Sequence, residues 1–311
     1  MKKLIALLAF IAAPAVLPLR AEPAKSPDAF ALLGEKLAKA IPKAPAGAEA
    51  ARFVPGADNN RLQVPRFQYT GPAGEKIELT GAIHIADRAY YERLNKHFQS
   101  FDAVLFEMVA NPDRLEAMRK KVAAPAAQAA PEKENPLREI YRSLSKDILK
   151  MPFQPEVVDY AAANFIHADV SEDELEKMFK DKGLEMSRVM SGGASVSQMR
   201  LVFGLVKMLT PSDDPHAMKR LFAPLFGSIG AGFAGQKEVE EIIITRRNDR
   251  AMEVLERELA AGKKNLSLFY GSAHLADFGK RLEAKGWKKT GEVWEDAWVF
   301  PASKPAAEPA K

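Results

Sequence analysis

The 311-residue sequence contains no cysteine. This excludes disulfides, thiolate metal ligands and a lipid-modified cysteine, although export would permit disulfides. Histidine is scarce, with five in the whole chain, so any imidazole chemistry is confined to a few positions. An excess of one charge is also lacking. The formal charge is +4, but Lys2, Lys3 and Arg20 lie in a removable leader; without those three, 45 basic residues against 41 acidic ones leave about +1. Charge therefore gives nucleic-acid binding no support. The uncharged stretch from Leu4 to Leu19 is shorter than the roughly 20 residues of a spanning helix, and Pro14 and Pro18 interrupt it. With Lys2 and Lys3 before it and Leu19-Arg20-Ala21 after it, it has the three parts of a secretory signal. The expectation is a leader over 1–21, no stable membrane span after its removal, and a periplasmic or secreted protein.

A hydrophobic content of 47% is enough to fill a real core. The chain is organised around a seven-residue phrase that occurs twice, as Gly81-Ala82-Ile83-His84-Ile85-Ala86-Asp87 and as Gly271-Ser272-Ala273-His274-Leu275-Ala276-Asp277. Each copy follows a short β-rich apolar run and opens onto an amphipathic helical pattern. Ligands gather at the carboxyl ends of strands in open α/β sheets, so both phrases place an imidazole where chemistry is usually done. The spacing predicts an α/β (α+β) fold of two related strand–GxxH–helix half-sheets with a helical insertion between them.

Residues 22–60 read as an Ala/Pro/Lys-rich flexible linker with one short helix from Asp28 to Ala40, and 61–300 as the folded domain. Arg61 to Thr70 and Lys76 to Ile85, joined by Gly71-Pro72-Ala73-Gly74, read as a β-hairpin. Asp87 suits the N-cap of a helix to about Ser100 that buries Tyr91, Leu94 and Phe98. Ala103 to Val109 is a continuous apolar run broken by Glu107, as in a strand buried on both faces. A βαβ unit from Ile77 to Val109 would make its strands neighbours about 5 Å apart and bring Glu107 close to His84. A carboxylate inside an apolar strand is costly unless a cation, side chain or metal, compensates it.

Residues 122–135 read as a low-complexity surface loop. The pattern from Pro136 is helical: Leu137 to Lys150, Pro155 to Phe165, a helix opened by the capping box Ser171/Glu174, and Val196 to Leu209, within an insertion over 136–235. His167 lies in it, either lining the site from the cap or bonding to backbone at a turn. His97 and His216 read as solvated. Gly230 to Gly235 matches a dinucleotide fingerprint in letters only, because no strand precedes it. A long helix from Gln236 to Ala261, stopped by Gly262, carries Arg246-Arg247-Asn248-Asp249-Arg250. Arg246, Asp249 and Arg250 share one face, and Arg247 and Asn248 point elsewhere. A strand or hairpin from Lys288 to Phe300 precedes a tail over 301–311.

The paired Gly-x-x-His motifs, Glu107 in its apolar strand, the Arg/Asn-bearing helix before the second motif and the leader together resemble the TraB/GumN family, which is similar to the Tiki metalloproteases and to PrgY. The likeness covers about residues 61–300. It implies two related halves around a helical insertion and a site of His84, Glu107 and His274 with Arg246, Arg247 or Asn248 nearby. It also implies metal-dependent hydrolysis, with manganese or cobalt and peptide cleavage in the Tiki branch.

The residues by themselves suit a divalent metal, zinc included, held by His84, His274 and Glu107. Such a metal would activate water against a peptide or protein substrate, with Glu107 as ligand or general base and Arg246 or Arg247 as anchor for an oxyanion or substrate. Two alternatives stay open: a metal-free esterase-like hydrolase with a histidine as general base and Glu107 orienting it, and a non-catalytic protein that binds a peptide or haem.

Overall fold

The computed structural model describes residues 27–39, 50–122, 142, 144–186, 189, 214–228 and 237–302. The leader, the stretch 123–135, the helix expected over 196–209, the glycine run 230–235 and the tail beyond Ala302 lie outside the described residues. Seven strands form one mixed sheet: β1 (Arg52–Val54), β2 (Asn59–Thr70), β3 (Lys76–Ala82), β4 (Ala103–Phe106), β5 (Phe165–His167), β6 (Asn265–Gly271) and β7 (Lys288–Pro301). Among the described residues there are eight α-helices: α1 (Pro27–Lys39), α2 (Arg88–Phe98), α3 (Pro112–Val122), α4 (Glu172–Asp181), α5 (Ala217–Ser228), α6 (Lys237–Glu240), α7 (Arg246–Ala260) and α8 (Leu275–Ala284). The mixed α/β class is therefore that expected from the sequence.

The hairpin forms as its alternation predicts, with β2 and β3 antiparallel from Thr70↔Lys76 to Arg66↔Thr80. Gly74 takes φ 88° in the connection, a left-handed conformation that favours glycine. β7 runs antiparallel along the length of β2. Beyond β3 the strands are parallel in the order β3-β6-β4-β5. The expected adjacency of β3 and β4 is corrected here, because β6 lies between them. The two glycine–histidine units thus sit side by side in one sheet, with Gly81 opposite Tyr270 and Ala82 opposite Gly271.

β4 is buried at all four residues, and its side chains alternate between two cores. Val104 and Phe106 join Tyr90, Tyr91, Leu94 and Phe98 of α2. Ala103 and Leu105 join Ala251, Met252 and Leu255 of α7 and Phe278 and Leu282 of α8. Burial on both faces is the reason this strand reads as a continuous apolar run rather than an alternating one.

Several local expectations change. The strand expected to Val109 ends at Phe106, leaving Glu107 just past its carboxyl end. Pro155 to Phe165 is not a helix: a 3-10 turn over Gln154–Glu156 leads through irregular chain into β5, so the inserted region contributes the edge strand. Of the helix expected from Leu137 to Lys150, Arg142 is helical and Leu144–Leu149 form a π-turn. Within the stretch read as a linker, Arg52–Val54 pairs with β2, and α1 packs on α5, where a Cβ on Gly34 would lie 2.6 Å from the Leu221 carbonyl oxygen. Asp87 occupies the N-cap position but does not cap; it holds Lys219 at 2.6 Å and accepts the Val299 N–H at 2.7 Å. The Ser171/Glu174 capping box forms as expected. No helix among the described residues is long and apolar enough to cross a membrane.

Candidate active site

His84, Glu107 and His274 follow the carboxyl ends of β3, β4 and β6, three neighbouring parallel strands. Because β6 is central, Glu107 meets the second phrase directly. Its Oε2 accepts the Gly271 N–H at 2.5 Å, and its Oε1 lies 3.6 Å from Nε2 of His274. His84 is near enough to act electrostatically on both Glu107 and His274.

The compensating cation demanded by the buried carboxylate is Arg247. Its Nη2 reaches Glu107 Oε1 at 2.5 Å, and Nε and Nη2 fork onto Asp169 at 3.0 and 2.7 Å. The Asp169 side chain is fully buried. Burial by itself would raise Glu107, but Arg247, the two histidines and the Gly271 N–H outweigh it and hold the carboxylate well below its usual range. Burial likewise opposes the charge on Arg247, and Asp169 and Glu107 overcome it, so the guanidinium stays charged.

Arg247 reaches inward from α7, whose first turn follows a π-turn, Glu241–Thr245. Widened turns of this kind recur at functional sites because they free carbonyls from the helical ladder. Arg247 Nη1 bonds to the Ile243 carbonyl at 3.4 Å, and Arg281 Nη2 to that of Thr245 at 3.4 Å. Arg246 lies on the outer face, half exposed and paired with Glu241, and does not reach the site. Arg247 and Asn248 are the inward pair, as the helical spacing separated them from Arg246, Asp249 and Arg250.

Asn248 is completely buried beneath His274. Its Nδ2 donates to Asp277 Oδ2 at 2.8 Å and to the His274 carbonyl at 3.3 Å, two groups that only accept. Its Oδ1 therefore faces His274 Nδ1 at 2.6 Å, which must carry the ring proton. Nε2 is left with a lone pair turned toward Glu107. Burial, partly offset by Glu107, lowers His274 to about 4, so the ring is neutral at pH 7.

His84 is held in the same way. Gln154 donates through Nε2 to Tyr160 Oη at 2.6 Å and faces His84 Nδ1 with Oε1 at 3.1 Å. The Gln154 N–H also bonds to the His84 carbonyl at 2.8 Å. Each imidazole thus has an amide carbonyl on Nδ1, and each amide is oriented by a third polar group.

No family model, curated protein or solved structure matches the chain.

The donor chemistry fits a divalent cation. Glu107 is ionised and His274 is neutral with its Nε2 lone pair toward Glu107, so these two donors stand in the protonation states that ligation requires, and His84 has its Nδ1 tied to Gln154. The spacing is that of a pair rather than a closed centre. Among the described residues no group of three or more His, Cys, Asp or Glu side chains converges so as to hold a metal, and Arg247 shares Glu107 Oε1.

His167 ends β5 and bonds through Nε2 to the Met108 carbonyl at 2.7 Å, the backbone role open to it from sequence. His97 is not solvated as expected; its Nε2 lies 2.8 Å from Glu78 and 2.7 Å from Arg66. Nor is His216 a free surface ring, because its Nδ1 is shielded from water. Sequence reasoning missed Asp169, Gln154 and Tyr160. Asp169 had a faint signal, standing two residues before the capping box; Gln154 and Tyr160 had none.

Proposed function

We propose that the chain is an exported hydrolase that works with a divalent cation held at the Glu107–His274 pair, with His84 as the third ligand closing on it when the cation binds. The observation that carries this is the contact between Glu107 Oε1 and His274 Nε2. Two acceptors, both unprotonated at neutral pH, face each other at 3.6 Å at the carboxyl end of a parallel sheet. Arg247 already donates to Glu107 Oε1, so what stays open to a cation is the His274 Nε2 lone pair beside an ionised carboxylate.

A divalent cation in this place supplies a Lewis acid and lowers the pKa of bound water. The remaining roles belong to the protein. Asn248 keeps the Nδ1 proton of His274 in place so that its Nε2 faces Glu107, and Gln154 holds the His84 ring through Nδ1. Arg247, itself fixed by Asp169, keeps Glu107 ionised and aimed. Its guanidinium is already engaged by two carboxylates, so its part is to position Glu107 rather than to hold an oxyanion. A peptide as substrate, manganese, cobalt or zinc as the metal, and membership of the TraB/GumN family rest on the motif resemblance. Export rests on the leader residues.

The metal-free dyad draws less support, since Glu107 faces the bare nitrogen of His274 and Asn248, not Glu107, orients the ring. The deciding measurement is metal content by plasma mass spectrometry on the chain from Glu22, beside the His84→Ala/His274→Ala double variant. Near-stoichiometric metal that vanishes in the variant is expected. No metal in either, even after reconstitution, would overturn the reading and leave the metal-free hydrolase or the binding protein.

A further inference from the structure

We infer that Asp277 and Arg281 are positioning residues that fix the tautomer of His274 from behind the ring, through Asn248. The inference rests on the proposed role of His274, but its readout requires neither metal nor activity.

An asparagine side chain has nearly the same shape in its two amide orientations, and only its neighbours choose between them. For Asn248 the choice falls mainly to Asp277, whose Oδ2 accepts from Nδ2 at 2.8 Å; the His274 carbonyl, at 3.3 Å, is a weaker constraint. Without the Asp277 carboxylate the amide can turn over and place its NH2 against His274 Nδ1. The ring proton then moves to Nε2, where it can bond with Glu107 Oε1, now 3.6 Å away. That arrangement satisfies both groups internally and abolishes the lone pair needed for ligation. The working tautomer is therefore the one the bare histidine–glutamate pair would not choose, and Asp277 opposes the collapse.

Asp277 is itself held. Arg281 Nε donates to its Oδ2 at 2.5 Å, and Arg281 Nη1 donates to Asp249 Oδ1 at 2.7 Å. Arg281 and Asp249 line a groove of about 490 Å³ that also includes Met178 of α4 and Met252 of α7. The charged face of Arg246, Asp249 and Arg250 borders this groove, so part of it anchors a chain of hydrogen bonds that ends on the site histidine. The corresponding aspartate of the first phrase, Asp87, is spent on Lys219 and Val299, and the His84 amide is oriented by Tyr160 instead. The device belongs to the second phrase alone.

The test is ring 15N NMR on the full chain, stripped of metal, at neutral pH. The wild type should show His274 with Nδ1 protonated and Nε2 bare. In Asp277→Asn, whose amide can donate as well as accept, at least half of the His274 population should move to the Nε2–H form, and Asp277→Glu should restore the wild-type pattern. Cation affinity should fall about 10–100-fold in Asp277→Asn. Arg281→Gln, which keeps Asp277 in place, should give a smaller shift of the same sign and serves if Asp277→Asn does not fold.

An unchanged tautomer in folded Asp277→Asn or Arg281→Gln, or a wild type already protonated at Nε2, overturns the inference. A wild type that binds no cation yet shows the expected shift sustains it while sinking the metal reading.

Discussion

Arg247→Met is the most informative single change, because it separates two adjacent arginines that look alike in the sequence. Arg247 is 8% exposed between Glu107 at 12% and Asp169 at 0%, and loss of its guanidinium strips three bonds from one partly buried and one fully buried carboxylate. Leaving a buried charge without its partner costs about 3–5 kcal/mol. At about 2–4 °C per kcal/mol for a chain of this size, the melting temperature should drop by about 6–20 °C. Arg246→Ala, on an exposed pair with Glu241, should leave the melt unchanged.

The pH dependence gives a second, opposite-signed check. In the wild type, burial would raise Glu107 but its cationic and N–H partners hold it low, so its contribution is present above the usual carboxylate range and is lost as pH falls. In Arg247→Met burial is left far less opposed and the folded-state Glu107 carboxyl rises; stability is then present at low pH and lost as pH increases. Denaturant melts from about pH 8 to about pH 5 should show the deficit of the variant shrinking toward the acid end. The reasoning is refuted if Arg247→Met melts with the wild type, or if its deficit grows in acid.

Two glycines and one histidine extend the test. A Cβ on Gly81 would lie 2.7 Å from the Pro65 carbonyl oxygen in the neighbouring strand, so Gly81→Ala should cost about 1–3 kcal/mol in a urea melt. On Gly271 the nearest atom would be Glu107 Oε2 at 3.1 Å; Gly271→Ala should therefore lower cation affinity about tenfold or more by titration calorimetry while changing stability by less than about 1 kcal/mol. His274, lowered to about 4 by burial, should contribute stability above an unfolded pKa of about 6.5 and lose at most about 3 kcal/mol as pH falls from 6.5 to 4. Melts of metal-free protein should show that acid limb shortened in His274→Gln.

The parts of this fold governed by local pattern were legible in the sequence. The β2–β3 alternation, the apolar run of β4, the capping box at Ser171 and the glycine stop at Gly262 each reflect contacts within a few residues of chain. Strand order does not, because nothing in residues 76–106 shows that a strand 160 residues later will part β3 from β4. That insertion is also why Glu107 meets Gly271 and His274 directly, with His84 acting on it electrostatically from the far side of β6. β5 escaped notice because three residues, Phe165–His167, are too few to show a period inside a helical-looking stretch. The histidines, Glu107 and the arginine helix were visible as residue types at strand and helix ends. Asp169, Gln154 and Tyr160 were not, since a partner that acts by orienting another side chain needs only to be near it in space.

The central place of β6 also orders events in time. β3 pairs with a segment 189 positions further along, from Lys76↔Asn265 to Ala82↔Gly271. A chain still emerging from the ribosome therefore has its first histidine and its glutamate long before it has the strand that unites them. Until β6 arrives, Glu107 lacks Gly271 and His274, and the sheet has a gap between β3 and β4. Any fragment truncated before residue 265 lacks both the strand that joins β3 to β4 and the Gly271 and His274 partners of Glu107. Among the described residues only α8 and β7 remain to be made once the second histidine is in place, so the candidate site is assembled late in the order of the chain.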